Sequence, residues 1–157
     1  MNQLSKQADG RARTVKETFS RETSVSIHIQ AAPEIVWSLL TNGSDFSRWN
    51  STVVSLEGEI RPGETIKLKS TLDESRTFAL TVKELVPQKR LVWGDRQGNR
   101  VYTITEAQGG DGVTFTMTEK IGGLLFPLFS RMIPPFDESF ERFAADLKKE
   151  AEAINNS

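Results

Sequence analysis

The most constraining feature of this chain is a stripe of large apolar residues near its C-terminus. Phe136, Phe140, Phe143, Leu147 and Ile154 recur at spacings of four, three, four and seven. That period puts them on one face of a long helix, with Glu138, Arg142, Asp146 and Lys149 elsewhere on its surface. A helix with so aromatic a face needs a large apolar partner. The rest of the chain offers one, because it reads as a run of short strands, each with one dry face.

The strands are legible from alternation. Val25, Ile27 and Ile29 alternate with Ser26 and His28, which marks a half-buried strand over about residues 23–30. Val54, Leu56 and Ile60 share a parity before the turn at Arg61-Pro62-Gly63. Ile66 and Leu68 alternate with Lys67 and Lys69, and Phe78, Leu80 and Val82 with Ala79, Thr81 and Lys83. Pro87-Gln88 turns the chain into Leu91–Trp93, Gly94–Gly98 turns it again, and Tyr102 and Ile104 mark the next strand. Gly109-Gly110-Asp111-Gly112 then leads into Val113, Phe115 and Met117, a strong turn signal before a strand. Consecutive strands with short links pair antiparallel, since parallel pairing needs long crossovers.

Helices interrupt the strands in two places. Ala31-Ala32-Pro33-Glu34 has the form of a helix start with proline in the first turn; Ile35, Val36, Leu39 and Leu40 supply its buried stripe, and Asn42-Gly43 closes it. Ser44–Trp49 makes a second short helix. Further on, Pro134-Pro135 separates the apolar segment Leu124–Met132 from the long helix, because proline disfavours helical geometry at the residue before it. The expected architecture is an α+β domain over residues 21–155, with residues 1–20 as a flexible N-terminal arm that lacks hydrophobic periodicity. Its curved antiparallel sheet has about seven strands around the long C-terminal helix, with two short helices after the first strand.

Composition narrows the chemistry. With no cysteine among 157 residues, disulfides, thiolate metal sites and cysteine nucleophiles are excluded. The formal net charge of −1 gives no electrostatic reason to expect nucleic acid. His28 is the only histidine and its parity puts it on the wet side of its strand; no carboxylate cluster has metal-ligand spacing. No nucleophile elbow, P-loop or dinucleotide fingerprint occurs. No metal and no cofactor are expected. Residues 1–22 contain no apolar run, and the longest apolar stretch, Leu124–Phe129, is far shorter than a membrane span; a cytoplasmic location without stable membrane insertion is expected.

Several motifs in this order carry a family resemblance: Ala31-Ala32-Pro33-Glu34-Ile35-Val36-Trp37, then Asp45-Phe46-Ser47-Arg48-Trp49-Asn50, Arg90-Leu91-Val92-Trp93-Gly94, Gly112-Val113-Thr114-Phe115 and Glu119-Lys120-Ile121-Gly122. Over about residues 23–153 the chain resembles the START-related, birch-pollen-allergen-like helix-grip superfamily, in its bacterial polyketide cyclase/dehydrase and lipid-transport branch. The resemblance implies a helix-grip fold with a cavity between sheet and helix that accepts lipids, polyketides or other apolar molecules. Pro134-Pro135 departs from relatives in which one uninterrupted helix runs through this point, and bears on the shape of the cavity mouth.

The residues expected around such a cavity are Trp49, at the end of the short helix that would border its entrance, and, from strand parity and the helix stripe, Leu68, Leu80, Trp93, Tyr102, Ile104, Phe115, Met117, Glu119, Phe136, Phe140 and Phe143. Trp37 and Trp93 also read as plain packing material. Glu119 is the informative one. It shares the parity of Val113, Phe115 and Met117, so it faces the cavity as a carboxylate in apolar surroundings, or else ends a frayed strand and is wet, paired with Lys or Arg. Three functions follow as alternatives. The first is a carrier or sensor of a small apolar molecule. The second is a metal-independent cyclase or dehydratase-type enzyme in which Glu119 or Tyr102 moves protons. The third is an interaction module that uses Leu124–Phe129 as an exposed patch.

Overall fold

A computed structural model describes residues 8–107 and 109–157. Eight strands form one antiparallel sheet: β1 (Arg13–Lys16), β2 (Ser20–Ile29), β3 (Val53–Glu57), β4 (Thr65–Ser70), β5 (Phe78–Val86), β6 (Arg90–Gly94), β7 (Gly98–Glu106) and β8 (Val113–Gly122). Their spatial order is β1-β2-β8-β7-β6-β5-β4-β3. Every link from β3 to β8 is a hairpin between neighbours. The one long crossover takes the chain from β2 to the far edge at β3. It carries the helices α1 (Pro33–Thr41) and α2 (Phe46–Trp49), joined by a single 3-10 turn at Gly43–Asp45. After β8 come the short helix α3 (Phe126–Phe129), a 3-10 turn at Ser130–Met132 and the long helix α4 (Asp137–Asn155). This is the α+β helix-grip arrangement expected from the strand run and the aromatic stripe.

The eighth strand is β1, which lies in the stretch expected as a loose arm; residues 1–7 of that arm lie outside the described residues. β1 is an edge strand of four residues with little buried surface, so it leaves no hydrophobic alternation to detect. Its place is set by a hairpin with β2 and by polar contacts to α4. It pairs with β2 from Arg13↔Ser24 to Lys16↔Arg21, and it and the residue before it are fastened to α4. The Thr14 hydroxyl donates to Asp137 Oδ1 at 2.7 Å, and the Ala12 amide to Glu141 Oε2 at 2.9 Å.

Two β-bulges bend the sheet so that it curls around the helix. One lies between Val82 and Glu84 where β5 pairs with β6, the other between Val53 and Ser55 where β3 pairs with β4. The second one overturns a parity expectation. Val54 and Leu56 were expected on one face, but the bulge buries Val53 and Leu56 and leaves Val54 exposed. A one-residue insertion flips every side chain on one side of it.

Helix α4 lies across the concave face with Phe140, Phe143, Ala144, Leu147 and Ala151 buried. Phe136 caps the helix rather than sitting within it, and Ile154, in the last turn, is exposed. The centre of the core is aromatic. The Phe143 ring lies 5.6 Å from Tyr102, 6.1 Å from Phe115 and 5.9 Å from Trp49. Glycine is obligatory at the β7–β8 turn, where Gly112 has φ 81° and a Cβ would collide with the Ile29 carbonyl oxygen.

Candidate functional site

One hollow in this core is apolar and large enough to matter. It has a volume of about 190 Å³ and lies between the β4–β8 part of the sheet and the strap Met132–Phe136 that leads into α4. Its apolar wall comes from alternate positions of adjacent strands: Leu68 on β4, Phe78 and Leu80 on β5, Trp93 on β6 and Ile121 on β8, with Phe136 closing it from the helix side. Asp73 and Arg76 in the β4–β5 loop, Asp95 and Gln97 in the β6–β7 turn, and the exposed Met132 and Pro134 also line it. The hollow therefore opens at the end of the sheet where those loops meet.

Inside, the wall carries one ion pair. Arg100 on β7 and Glu119 on β8 are directly opposite in the ladder, and the Arg100 Nε–H donates to Glu119 Oε1 at 2.6 Å. Their side chains are 16% and 19% exposed, which places the pair in the wall rather than on the surface. The Arg100 guanidinium also lies 5.0 Å from the centre of the Phe140 ring, a favourable seat for a cation. Burial works against its charge, but Glu119 and the nearby Tyr102 more than offset that and hold Arg100 above its ordinary pKa. The Tyr102 oxygen lies close to the guanidinium, and among the described residues Glu119 is the one carboxylate bonded to it, so donors remain on its two terminal nitrogens for another acceptor.

A second arginine organises the strap. Arg21, on the inward face of β2, is only 7% exposed. Its terminal nitrogens donate to the Ile133 carbonyl at 3.3 Å and the Pro134 carbonyl at 2.9 Å. Its guanidinium sits 4.7 Å from the Phe136 ring. Pro134 and Pro135 have no amide hydrogens with which to join a regular structure, so this side chain does the tethering. Burial lowers the Arg21 pKa, while Glu119 and Asp137 act in the opposite direction.

The twelve residues expected around a cavity divide into two groups. Leu68, Leu80, Trp93, Glu119 and Phe136 line the hollow. Trp49, Tyr102, Ile104, Phe115, Met117, Phe140 and Phe143 are packed together in the solid core, each at most 9% exposed. Parity assigns a face, and the structure shows that the concave face is filled at its centre and hollow toward one end. Tyr102 illustrates the difference. Its ring is wedged between Trp93 at 5.0 Å and Phe143, and its hydroxyl is buried close to the Arg100 guanidinium without a well-formed hydrogen bond among the described residues. Burial pushes its pKa up to about 12, against the opposing influence of Arg100.

Arg100 and Arg21 are the polar residues that sequence reasoning passed over. Both were within reach of it, since Arg100 shares the parity of Tyr102 and Ile104, and Arg21 that of Val25 and Ile29. His28 donates to or accepts from nothing in the hollow; its Nε2 meets the Asp111 carbonyl oxygen at 2.8 Å. Among the described residues no group of three or more His, Cys, Asp or Glu is placed to hold a metal ion. A polar pit at the opposite end of the sheet has its groups tied to one another, with Gln30 donating to Asp111 and the Ala32 amide to Asn155 Oδ1. Among the described residues no helix is long and apolar enough to cross a membrane.

Comparison with known proteins agrees with this fold. The family model described as polyketide cyclase / dehydrase and lipid transport matches residues 20–152. The chain is similar in fold to a solved protein from Rhodobacter sphaeroides, with a TM-score of 0.67 at 18% identity over 91% of this chain and 99% of that one. A solved protein from Nitrosomonas europaea also has a TM-score of 0.67, at 14% identity over 91% of this chain and all (100%) of the other. DynU16, from the dynemicin biosynthetic locus, superimposes with a TM-score of 0.62 at 16% identity, over 85% of this chain and 48% of its own length. No curated protein sequence matches the chain.

Proposed function

Since the chain belongs to the polyketide cyclase / dehydrase and lipid transport family, we propose that it binds a small apolar molecule in the hollow beneath the strap, as a carrier or sensor. The observation that carries this reading is the make-up of the wall. Its inner part is apolar side chains from four strands and the helix cap with the ion pair Arg100–Glu119 among them, and the other charged and polar lining residues, Asp73, Arg76, Asp95 and Gln97, belong to the loops at its mouth. Apolar area supplies affinity in such a site, and a few polar groups set orientation. A polar group on the ligand would be held by the free end of the Arg100 guanidinium.

Volume limits the ligand. A hollow of about 190 Å³ is somewhat larger than the ~150 Å³ cavity known to hold benzene and below the ~300 Å³ at which drug-sized pockets begin. One ring or a short acyl chain fits within it. A longer molecule would project between Met132 and the β4–β5 loop.

The enzymatic alternative, a cyclase or dehydratase using Glu119 and Tyr102, needs a positioned proton-transfer group at the reacting atom. Glu119 faces the hollow but is engaged by Arg100, and the Tyr102 hydroxyl lies in the core behind the wall. Binding without turnover is therefore the better-supported reading.

The test is titration with an environment-sensitive apolar dye, with Leu80→Trp as the filled-cavity variant. Saturable binding at one site, weakened on the order of tenfold or more by Leu80→Trp, is the expected result, provided the variant unfolds as cooperatively as the parent. Dye binding that Leu80→Trp leaves unchanged would remove the hollow as the site. A carbonyl-bearing ligand that is turned over by the parent and not by Glu119→Gln would replace the carrier reading with the enzymatic one.

A further inference from the structure

The segment between β8 and the strap is built unlike the rest of the surface. Leu124 is 88% exposed, Leu125 64%, Leu128 80% and Met132 82%, while Phe126 between them is only 5% exposed and packs edge-on against Phe129. Phe126 pins the short helix down, so the leucines cannot fold back into the core. Beside them the β1–β2 hairpin presents Phe19, 52% exposed, whose carbonyl accepts the Gly123 amide at 3.0 Å. Isolated exposed leucines are ordinary, but four large apolar side chains at this exposure within nine residues form a patch of the kind that marks an interaction site.

Charge identifies the partner. From Lys120 to Phe136 the sequence contains Lys120 and Arg131 and no aspartate or glutamate, although the chain as a whole carries 21 acidic residues against 20 basic. Acidic groups at this end of the sheet, Asp73 and Asp95, line the other side of the hollow, and Glu17 sits at the hairpin tip. The ridge itself carries Arg131 and no acid, with Lys120 just before it on β8 opposite Glu22. An apolar ridge free of acidic side chains and bearing a cation fits the boundary between the headgroups and acyl chains of an anionic bilayer. Position supports this, because Met132 belongs both to the ridge and to the lining of the hollow. We propose that Leu124–Met132 is a membrane-surface docking ridge, lying in the interface of an anionic lipid bilayer with the mouth of the hollow beside it. Docking is peripheral: the ridge is one short helix and a turn, too short to span. It stands whether or not the hollow holds a ligand.

The experiment is co-sedimentation of the full chain with vesicles of equal parts phosphatidylcholine and phosphatidylglycerol, with pure phosphatidylcholine vesicles in parallel. The parent is expected to bind the mixed vesicles and to bind the neutral ones more weakly. The double variant Leu124→Ser/Leu128→Ser removes exposed side chains only, so folding is kept, and its partition to mixed vesicles should fall on the order of tenfold or more. Lys120→Glu/Arg131→Glu should reduce binding to the mixed vesicles and leave the neutral ones little changed. Absence of parental binding overturns the proposal, as does equal binding by the leucine variant. A concentration-dependent dimer in sedimentation velocity that the leucine variant abolishes would also overturn it, by assigning the ridge to a second copy of this chain.

Discussion

Arg100 and Glu119 face each other across the β7–β8 ladder, and the 2.6 Å bond from Arg100 Nε to Glu119 Oε1 places an ion pair among the apolar side chains of the inner wall. Each partner offsets the cost of burying the other. The pair also decides what the hollow can recognise, because only one of the guanidinium's donor nitrogens is used within it.

The energetics of that pair are testable by a double-mutant cycle. Arg100→Met leaves Glu119 in the wall without its partner and should cost about 2–3 kcal/mol in denaturant unfolding. Arg100→Met combined with Glu119→Leu should recover most of that loss, since an apolar pair of similar volume suits the wall. If the double variant is no more stable than Arg100→Met alone, the two side chains are not coupled.

The phenol of Tyr102 provides a pH probe. It is the only tyrosine in the chain, so tyrosinate absorbance reports it without overlap from another phenol. Its folded-state pKa is pushed up to about 12, whereas the unfolded chain ionises near the ordinary value of ~10. Between those values the folded state holds a proton that the unfolded state has lost, so stability falls as pH rises. The contribution is complete below pH ~10 and should decline by about 2–3 kcal/mol by pH ~12. Tyr102→Phe should abolish that part of the alkaline loss. Equal alkaline destabilisation of parent and variant would contradict the burial of this hydroxyl.

Phe143 is the hub of the aromatic core, in contact with Trp49, Tyr102 and Phe115. Phe143→Ala should destabilise the protein by about 3–5 kcal/mol. Lys149→Ala, on the exposed face of the same helix, should change stability by less than about 0.5 kcal/mol. Glu141 is not a suitable neutral control, although its position next to Phe140 suggests an outward side chain. It accepts the Ala12 amide and so ties the segment before β1 to the helix.

Arg21 ties the strap to the sheet through two carbonyls. Arg21→Met keeps the stem and removes both bonds. Amide hydrogen exchange should then accelerate around Arg131–Ile133 and stay at parental rates in β7 and β8. A loss of about 1–3 kcal/mol in global stability is expected beside it. Unchanged protection around the strap would mean that the prolines hold it without the arginine.

Much of the architecture is legible in the sequence because it rests on periodicity. Period-two alternation locates the strands from β2 to β8, the 3.6 period locates α4, and Pro33, Asn42-Gly43 and Pro134-Pro135 punctuate the helices where they begin and end. These signals are local, since each side chain's face follows from its own neighbours along the chain. The tertiary structure decided what local patterns do not encode. β1 pairs with its hairpin neighbour β2 but is fastened to α4 by Thr14–Asp137, with Ala12–Glu141 just before it, contacts more than 120 residues apart in sequence. The exposure of Val54 follows from a bulge, which depends on how two strands pair. Parity alone made Phe115, Met117 and Phe143 as eligible for a cavity wall as Leu68 and Leu80. Whether an inward side chain meets a hollow or another side chain depends on where α4 and the strap lie over a curved sheet, and that is a property of packing between elements. The same holds for Glu119: its direction was readable from the strand, but its partner, Arg100, was chosen by the register of β7 against β8.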